Sequence, residues 1–228
     1  MLSLSHRVEG GERLASLLWE FGPGWRMISS ALLGGGTGTA GWVLNAQVRG
    51  GYARMDPADH LRELAPDGPG VGMMTAAPVA RYNRAHDRGV DAVATVGLGL
   101  PTWAAEPEPE PASLIPPPSP PAPGTVNIIV AVPVAVSDAA LVNLVMTVTE
   151  AKTQALIEAG YACTGTASDA VCVAVRAQGP EEPFGGPRST WGARAARAVH
   201  AAVLEGAHAW RRAPETRPAA EADSTGLT

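Results

Sequence analysis

The stretch that most limits how this chain can fold runs from Ser137 to Ala170, SDAALVNLVMTVTEAKTQALIEAGYACTGTASDA. Ser137 is a strong N-cap residue and Gly160 suits the left-handed position that closes a helix, so the spacing predicts one long helix between them. A glycine-threonine loop follows, and then the strand-like run VCVAV from Val171 to Val175. The helix carries Lys152, the only lysine among 17 basic residues. Arginine stays protonated under ordinary conditions, whereas a desolvated lysine can lose its proton and act as base or nucleophile. The one position that keeps a lysine is therefore the first candidate for chemistry.

At about 100° per residue, Asn143, Thr147, Glu150 and Gln154 share one polar stripe of this helix. Its plainest reading is a solvated face. Lys152 points about 160° away from Glu150, on the side of Val145, Val148 and Leu156. Among those apolar groups its ammonium calls for a depressed pKa or a carboxylate partner, and Asp138, Glu150 and Asp169 are the acids at hand. Glu150 and Lys152 cannot both project directly into one site unless the helix end or the GTASDA loop lies between them.

The rest of the chain supplies strands around this element. Glu12 to Phe21 suits a short helix or a strand of a first hairpin. WRMISSALL (25–33) and WVLNAQV (42–48) read as a hairpin joined by the flexible turn GGGTGTAG. Asp56-Pro57 opens a short helix. Val71 to Ala76 is strand-like with Thr75 at its end, Pro78 suits the start of another helix, and Val90 to Leu98 is a buried strand. GTVNIIVAVPV (124–134) is too continuously apolar for an exposed edge and reads as central. A second long helix starts at Ser189 or Thr190. Strands and helices interleave irregularly, which predicts an α+β fold: a layered mixed or antiparallel sheet packed with two long helices in a single domain. The domain spans 1–210, with a proline-rich, extended and solvated insertion at 101–123 and a disordered tail at 211–228.

Charge and composition exclude several functions. The net charge is −5 and no Lys/Arg cluster occurs, so neither nucleic acid nor an anionic membrane surface is an expected partner. No basic leader precedes an apolar run, and no stretch approaches the length that spans a bilayer. Two cysteines make no disulfide framework, and a cytoplasmic location is expected. Cys172 belongs to the core, and Cys163 is the one exposed thiol candidate. The five histidines form no metal-binding spacing, so no metal site is expected. The triple glycine lacks the G-K-[ST] of a phosphate loop, and no G-x-S-x-G elbow occurs. If a nucleophile exists, a threonine or serine activated by lysine or carboxylate is the better candidate.

Several segments stand in an order and spacing that resemble the adenosylcobinamide amidohydrolase family. They are Leu44-Asn45, Asp56-Pro57, GVGMMTAA (70–77), TVGL (95–98), GTVNIIV (124–130), SDAALVNLVMTVTEAKTQAL (137–156) and GTASDAV (165–171). The proline-rich insertion and the polar tail depart from the pattern without touching a motif. The resemblance implies hydrolysis of the amide joining aminopropanol to the corrin ring of adenosylcobinamide, a step of corrinoid salvage. The implied partner is a small corrinoid, a homo-oligomer is compatible with the sequence, and no cofactor is called for because the cobalt belongs to the substrate. The chemistry suggests Lys152 and Glu150 as acid/base groups, with Asp169 orienting Lys152. Thr75 or Thr166 would be the nucleophile or orient water, and Asn45, Asn127 or Asn143 would steady the oxyanion. Gly72, Met74 and Gly165 are candidate substrate contacts, and the glycine-rich loops at 34–41 and 68–72 candidate rims of a wide mouth. Two rival readings remain: a non-catalytic corrinoid-binding protein, against which stands the missing D-x-H-x-x-G cobalt-ligand pattern, and a threonine-nucleophile amidase acting on another substrate.

Overall fold

The strand read from GTVNIIV runs Val126–Val132, and all seven of its residues are buried. Successive side chains of a strand point to opposite faces, so such a strand must be covered on both sides. The structure, a computed structural model describing residues 1–107 and 124–213, shows what covers it. Val126, Ile128, Val130 and Val132 meet two long helices, while Ile129 and Ala131 meet a second sheet.

The strands in chain order are β1 (Leu2–Glu9), β2 (Glu12–Glu20), β3 (Trp25–Ser29), β4 (Gly36–Thr39), β5 (Trp42–Gln47), β6 (Gly70–Thr75), β7 (Asn83–Asp87), β8 (Val90–Val96), β9 (Val126–Val132), β10 (Ala135–Val136), β11 (Ala170–Arg176) and β12 (Glu181–Glu182). The helices are α1 (Pro57–Leu64), α2 (Asp138–Glu158) and α3 (Thr190–Arg212). A six-stranded mixed sheet has the order β4-β3-β11-β9-β8-β7, and a four-stranded mixed sheet the order β1-β2-β5-β6. β9 and β11 lie at the centre of the larger sheet and run parallel, with α2 as their crossover. Layers then follow in order: α2 and α3, the six-stranded sheet, the four-stranded sheet, and α1 on its outer side against Trp42, Leu44 and Ala46. This is the expected α+β class with layered mixed sheets and two long helices.

Both helix ends form as their residues dictate. The Ser137 hydroxyl accepts from the N–H of Ala140, Ser189 does the same for Gly192, and Gly160 takes φ +81 just past the end of α2. Pro78 precedes a single 3-10 turn, Val79–Arg81, rather than an α-helix.

Two expectations about the first third of the chain fail. WRMISSALL and WVLNAQV do not pair: β3 lies between β4 and β11 in one sheet, and β5 between β2 and β6 in the other. The segment expected to be a flexible turn contains β4, an edge strand whose four residues are all exposed. Of the two readings of Glu12 to Phe21, the strand of a first hairpin holds: β2 forms that hairpin with β1 and pairs on its other side with β5. Of the expected insertion, residues 108–123 lie outside the described residues. Of the expected tail, Arg211 and Arg212 close α3, and 214–228 lie outside the described residues.

Candidate active site

Two polar clusters meet at the end of the six-stranded sheet where β9 and β11 begin. The first is built on the loop between α2 and β11. Lys152, 7% exposed on the sheet-facing side of α2, donates to Asp169 Oδ2 at 2.5 Å. Asp169 also accepts from the Thr166 N–H at 3.2 Å, the Thr166 hydroxyl at 2.5 Å and the Val126 N–H at 2.9 Å. The carboxylate thus holds four donors, and it supplies the partner that a buried lysine requires. The loop comes so close that a Cβ on Gly165 would lie 2.2 Å from Asp169 Oδ2 and 2.6 Å from Lys152 Nζ. Only glycine leaves room for the pair. Thr166 is half-buried, so its hydroxyl is the group of this cluster best placed to meet a substrate.

The second cluster lies between the sheets. Residues 127 of β9, 95 of β8, 45 of β5 and 75 of β6 all fall on the inner-facing parity of their strands. Asn127 Nδ2 donates to Asn45 Oδ1 at 2.9 Å and to the Met74 carbonyl at 3.2 Å, and Asn45 Nδ2 donates to Thr95 Oγ1 at 2.9 Å. Asn45, Asn127, Thr95 and Thr75 are each no more than 2% exposed. Asn127 Oδ1 is fully buried and has no partner among the described residues. The Thr75 hydroxyl accepts from the Ala77 N–H and so fixes the chain after β6.

The structure thus brings Lys152, Asp169, Thr166 and Gly165 into one cluster and Asn45 and Asn127 into its neighbour. Other candidates fall elsewhere. Glu150 is exposed on the opposite face of α2. Asn143 sits nine residues before Lys152, about 13 Å along the axis, with its amide against Met146 Sδ. Gly72 is no rim: it lies buried within β6, bridged to Leu33 and facing Leu61. Met74 enters through its carbonyl, since its side chain belongs to the outer cluster with α1. Thr147 is not solvated; it is 1% exposed and donates to the Gly185 carbonyl. Cys163 is not an exposed thiol either, being buried, and that burial pushes its thiol pKa up.

Thr95 was missed as a site residue although TVGL was singled out. The available signal was a polar residue inside an otherwise apolar strand, which must find a buried partner. Among the described residues, no three His, Cys, Asp or Glu side chains gather as a metal-binding group, and no helix is long and apolar enough to cross a membrane.

Comparison with curated proteins returns no match. A family model described as adenosylcobinamide amidohydrolase (CbiZ) matches residues 1–215, and the chain belongs to that family.

Proposed function

We propose that this protein hydrolyses the amide between the corrin ring and the aminopropanol arm of adenosylcobinamide, yielding adenosylcobyric acid and 1-aminopropan-2-ol. The observation that carries the reading is a half-buried threonine hydroxyl donating to a carboxylate that a buried lysine also holds, within a chain of this family.

Amide hydrolysis requires attack on the carbonyl carbon and a proton for the departing amine. Thr166 attacks, and its hydroxyl proton passes to Asp169 as the Oγ–C bond forms. Lys152 gives a proton to the amine as the C–N bond breaks, and the Asp169 proton restores it. Water then cleaves the ester and releases the carboxylic acid, regenerating Thr166. Asp169 must shed one of its four donors to take the proton, and the Thr166 hydroxyl is the one that leaves. Asn45 and Asn127 act as positioning residues, because Asn127 gives its amide donors to Asn45 and Met74, and Asn45 donates to Thr95, all between the sheets. Glu150, on the far face of α2, takes no part. The cobalt enters only as part of the substrate.

The test is incubation of the purified protein with adenosylcobinamide and detection of free 1-aminopropan-2-ol by mass spectrometry. Wild type releases it, Thr166→Ala and Lys152→Met lose at least about 100-fold of that rate, and absence of release by wild type sinks the reading.

A further inference from the structure

Four hydrogen bonds fasten the start of the proline-rich insertion to the loop that carries Thr166. The Thr102 N–H donates to the Gly165 carbonyl at 2.9 Å, and the Thr164 N–H to the Thr102 carbonyl at 3.0 Å. The Thr164 hydroxyl donates to that same carbonyl at 3.2 Å and accepts from the Ala104 N–H at 2.8 Å. On the other side of the loop, Thr153 of α2 donates its hydroxyl to the Thr164 carbonyl. Residues 102–104 therefore sit as a fixed arm beside Gly165 and Thr166, not as a free surface loop.

What the arm presents is unusual. Trp103 is 45% exposed and Leu100 52%. The other five tryptophans of the chain are buried or half-buried, packed in or against the core. A tryptophan held by its neighbours' backbone bonds yet left uncovered contributes little to stability and much to a contact surface, since its ring offers a large rigid apolar face.

We propose that Trp103, with the exposed Leu100 three residues before it in the chain, is the seat for the corrin macrocycle: a specificity-determining ledge that holds the ring while the amide arm reaches Thr166. This rests on the reading of the protein as a corrinoid amidohydrolase. A macrocycle has a wide, flat, partly apolar face that the side chains of the Lys152 cluster are too small or too covered to hold: Gly165 offers none, Thr166 is short and half-buried, and Lys152 and Asp169 are only 8% and 11% exposed. The indole lies on an arm tied directly to that loop. It binds the ring in the ground state and transition state alike, so its removal raises KM and leaves kcat in place.

The experiment uses adenosylcobyric acid, which keeps the macrocycle but has no amide arm left to cleave, in equilibrium dialysis against wild type, Trp103→Ala and Trp103→Phe, its absorbance reporting the bound fraction. Trp103→Ala weakens the Kd at least about fivefold, and Trp103→Phe, which keeps an aromatic face, stays within about twofold. With adenosylcobinamide, Trp103→Ala raises KM by the same factor at near-constant kcat, and its melting temperature matches wild type. An unchanged Kd in Trp103→Ala, or a loss explained by a lower melting temperature, overturns the ledge. The two readings fail separately: lack of aminopropanol release by wild type defeats the hydrolase, whereas the dialysis result bears on Trp103 alone.

Discussion

Removing Lys152 tests whether its link to Asp169 is an ion pair on which the fold depends. The two side chains are 8% and 11% exposed, so the pair is shielded from solvent on both sides. Breaking a buried pair by deleting one partner costs about 3–5 kcal/mol, because the other charge is stranded. In Lys152→Met the stranded carboxylate still has the Val126 N–H, the Thr166 N–H and the Thr166 hydroxyl, three of its four donors. The cost should therefore fall at the lower end, about 3 kcal/mol, or a drop of about 6–12 °C in Tm for a chain of this size. Asp169→Asn is expected to cost a similar amount, since it strands the ammonium and spoils an acceptor for backbone donors. The double variant removes both charges, so its loss should be smaller than the sum by at least about 1.5 kcal/mol. Urea denaturation of the four proteins at neutral pH closes the cycle. Additivity within about 0.5 kcal/mol would refute the buried-pair reasoning.

Gly165→Ala should be worse than an ordinary loop substitution. Its Cβ would meet the tips of Asp169 and Lys152 at 2.2 and 2.6 Å, and a short aspartate held by four donors cannot swing away freely. Expected are a stability loss of about 1–3 kcal/mol and turnover reduced at least about tenfold; wild-type values for both in Gly165→Ala would contradict the packing. At the alkaline end, burial pushes the Cys172 thiol up to about 12, with a smaller opposing effect from Ser29. The folded thiol keeps its proton while the unfolded one ionises near 8.5, so stability is full below about pH 8.5 and falls as pH rises toward 12. At pH 10 the linked loss is about 2 kcal/mol, with Cys163 adding in the same direction. Cys172→Ala should show a shallower decline of unfolding free energy between pH 9 and 10.5; an equal slope would refute the buried-thiol account.

The central part of the fold was legible because its signals are local. VNIIVAV and VCVAV can only be strands covered on both faces, and Ser137, Gly160 and Ser189 mark helix ends through backbone bonding alone. What escaped depends on contacts distant in sequence. GTGT has no apolar residue to announce a strand, and β4 forms because β3 offers it an edge. Nothing local in WVLNAQ shows that Trp42 through Ala46 are all buried; the larger sheet covers one face of the strand and α1 the other. β1 was hidden by its polar run SHRVE, although Gly10 and Gly11, with φ of 56 and 82, form the two-residue turn that a hairpin with β2 needs. At the site, the placement of Lys152 among apolar groups and its need for a carboxylate were legible from the wheel, which left Asp138, Glu150 and Asp169 as the acids at hand; the fold selects Asp169. The Asn45–Thr95–Asn127 chain was not, because its members come from three strands, and the pairing of sheet with sheet has no sequence period.

The two clusters are coupled through the first residues of β9. Val126 gives its backbone N–H to Asp169, and the next residue, Asn127, turns its side chain the other way, to Asn45 and Met74. Asn127 is at the same time in register with Ala170, the residue that follows Asp169. A one-residue slip of β9 against β11 would carry the Val126 N–H away from Asp169 and turn the Asn127 amide to the helix side, leaving buried polar groups without partners on both faces. The carboxylate is thus placed by the sheets, and Lys152 by a helix packed on the larger one. The Thr164–Ser168 loop is less covered: Thr166, Ala167 and Ser168 are at least partly exposed. The Lys152–Asp169 pair is accordingly fixed between sheet and helix, while the Thr166 hydroxyl reaches the same carboxylate from the less covered loop.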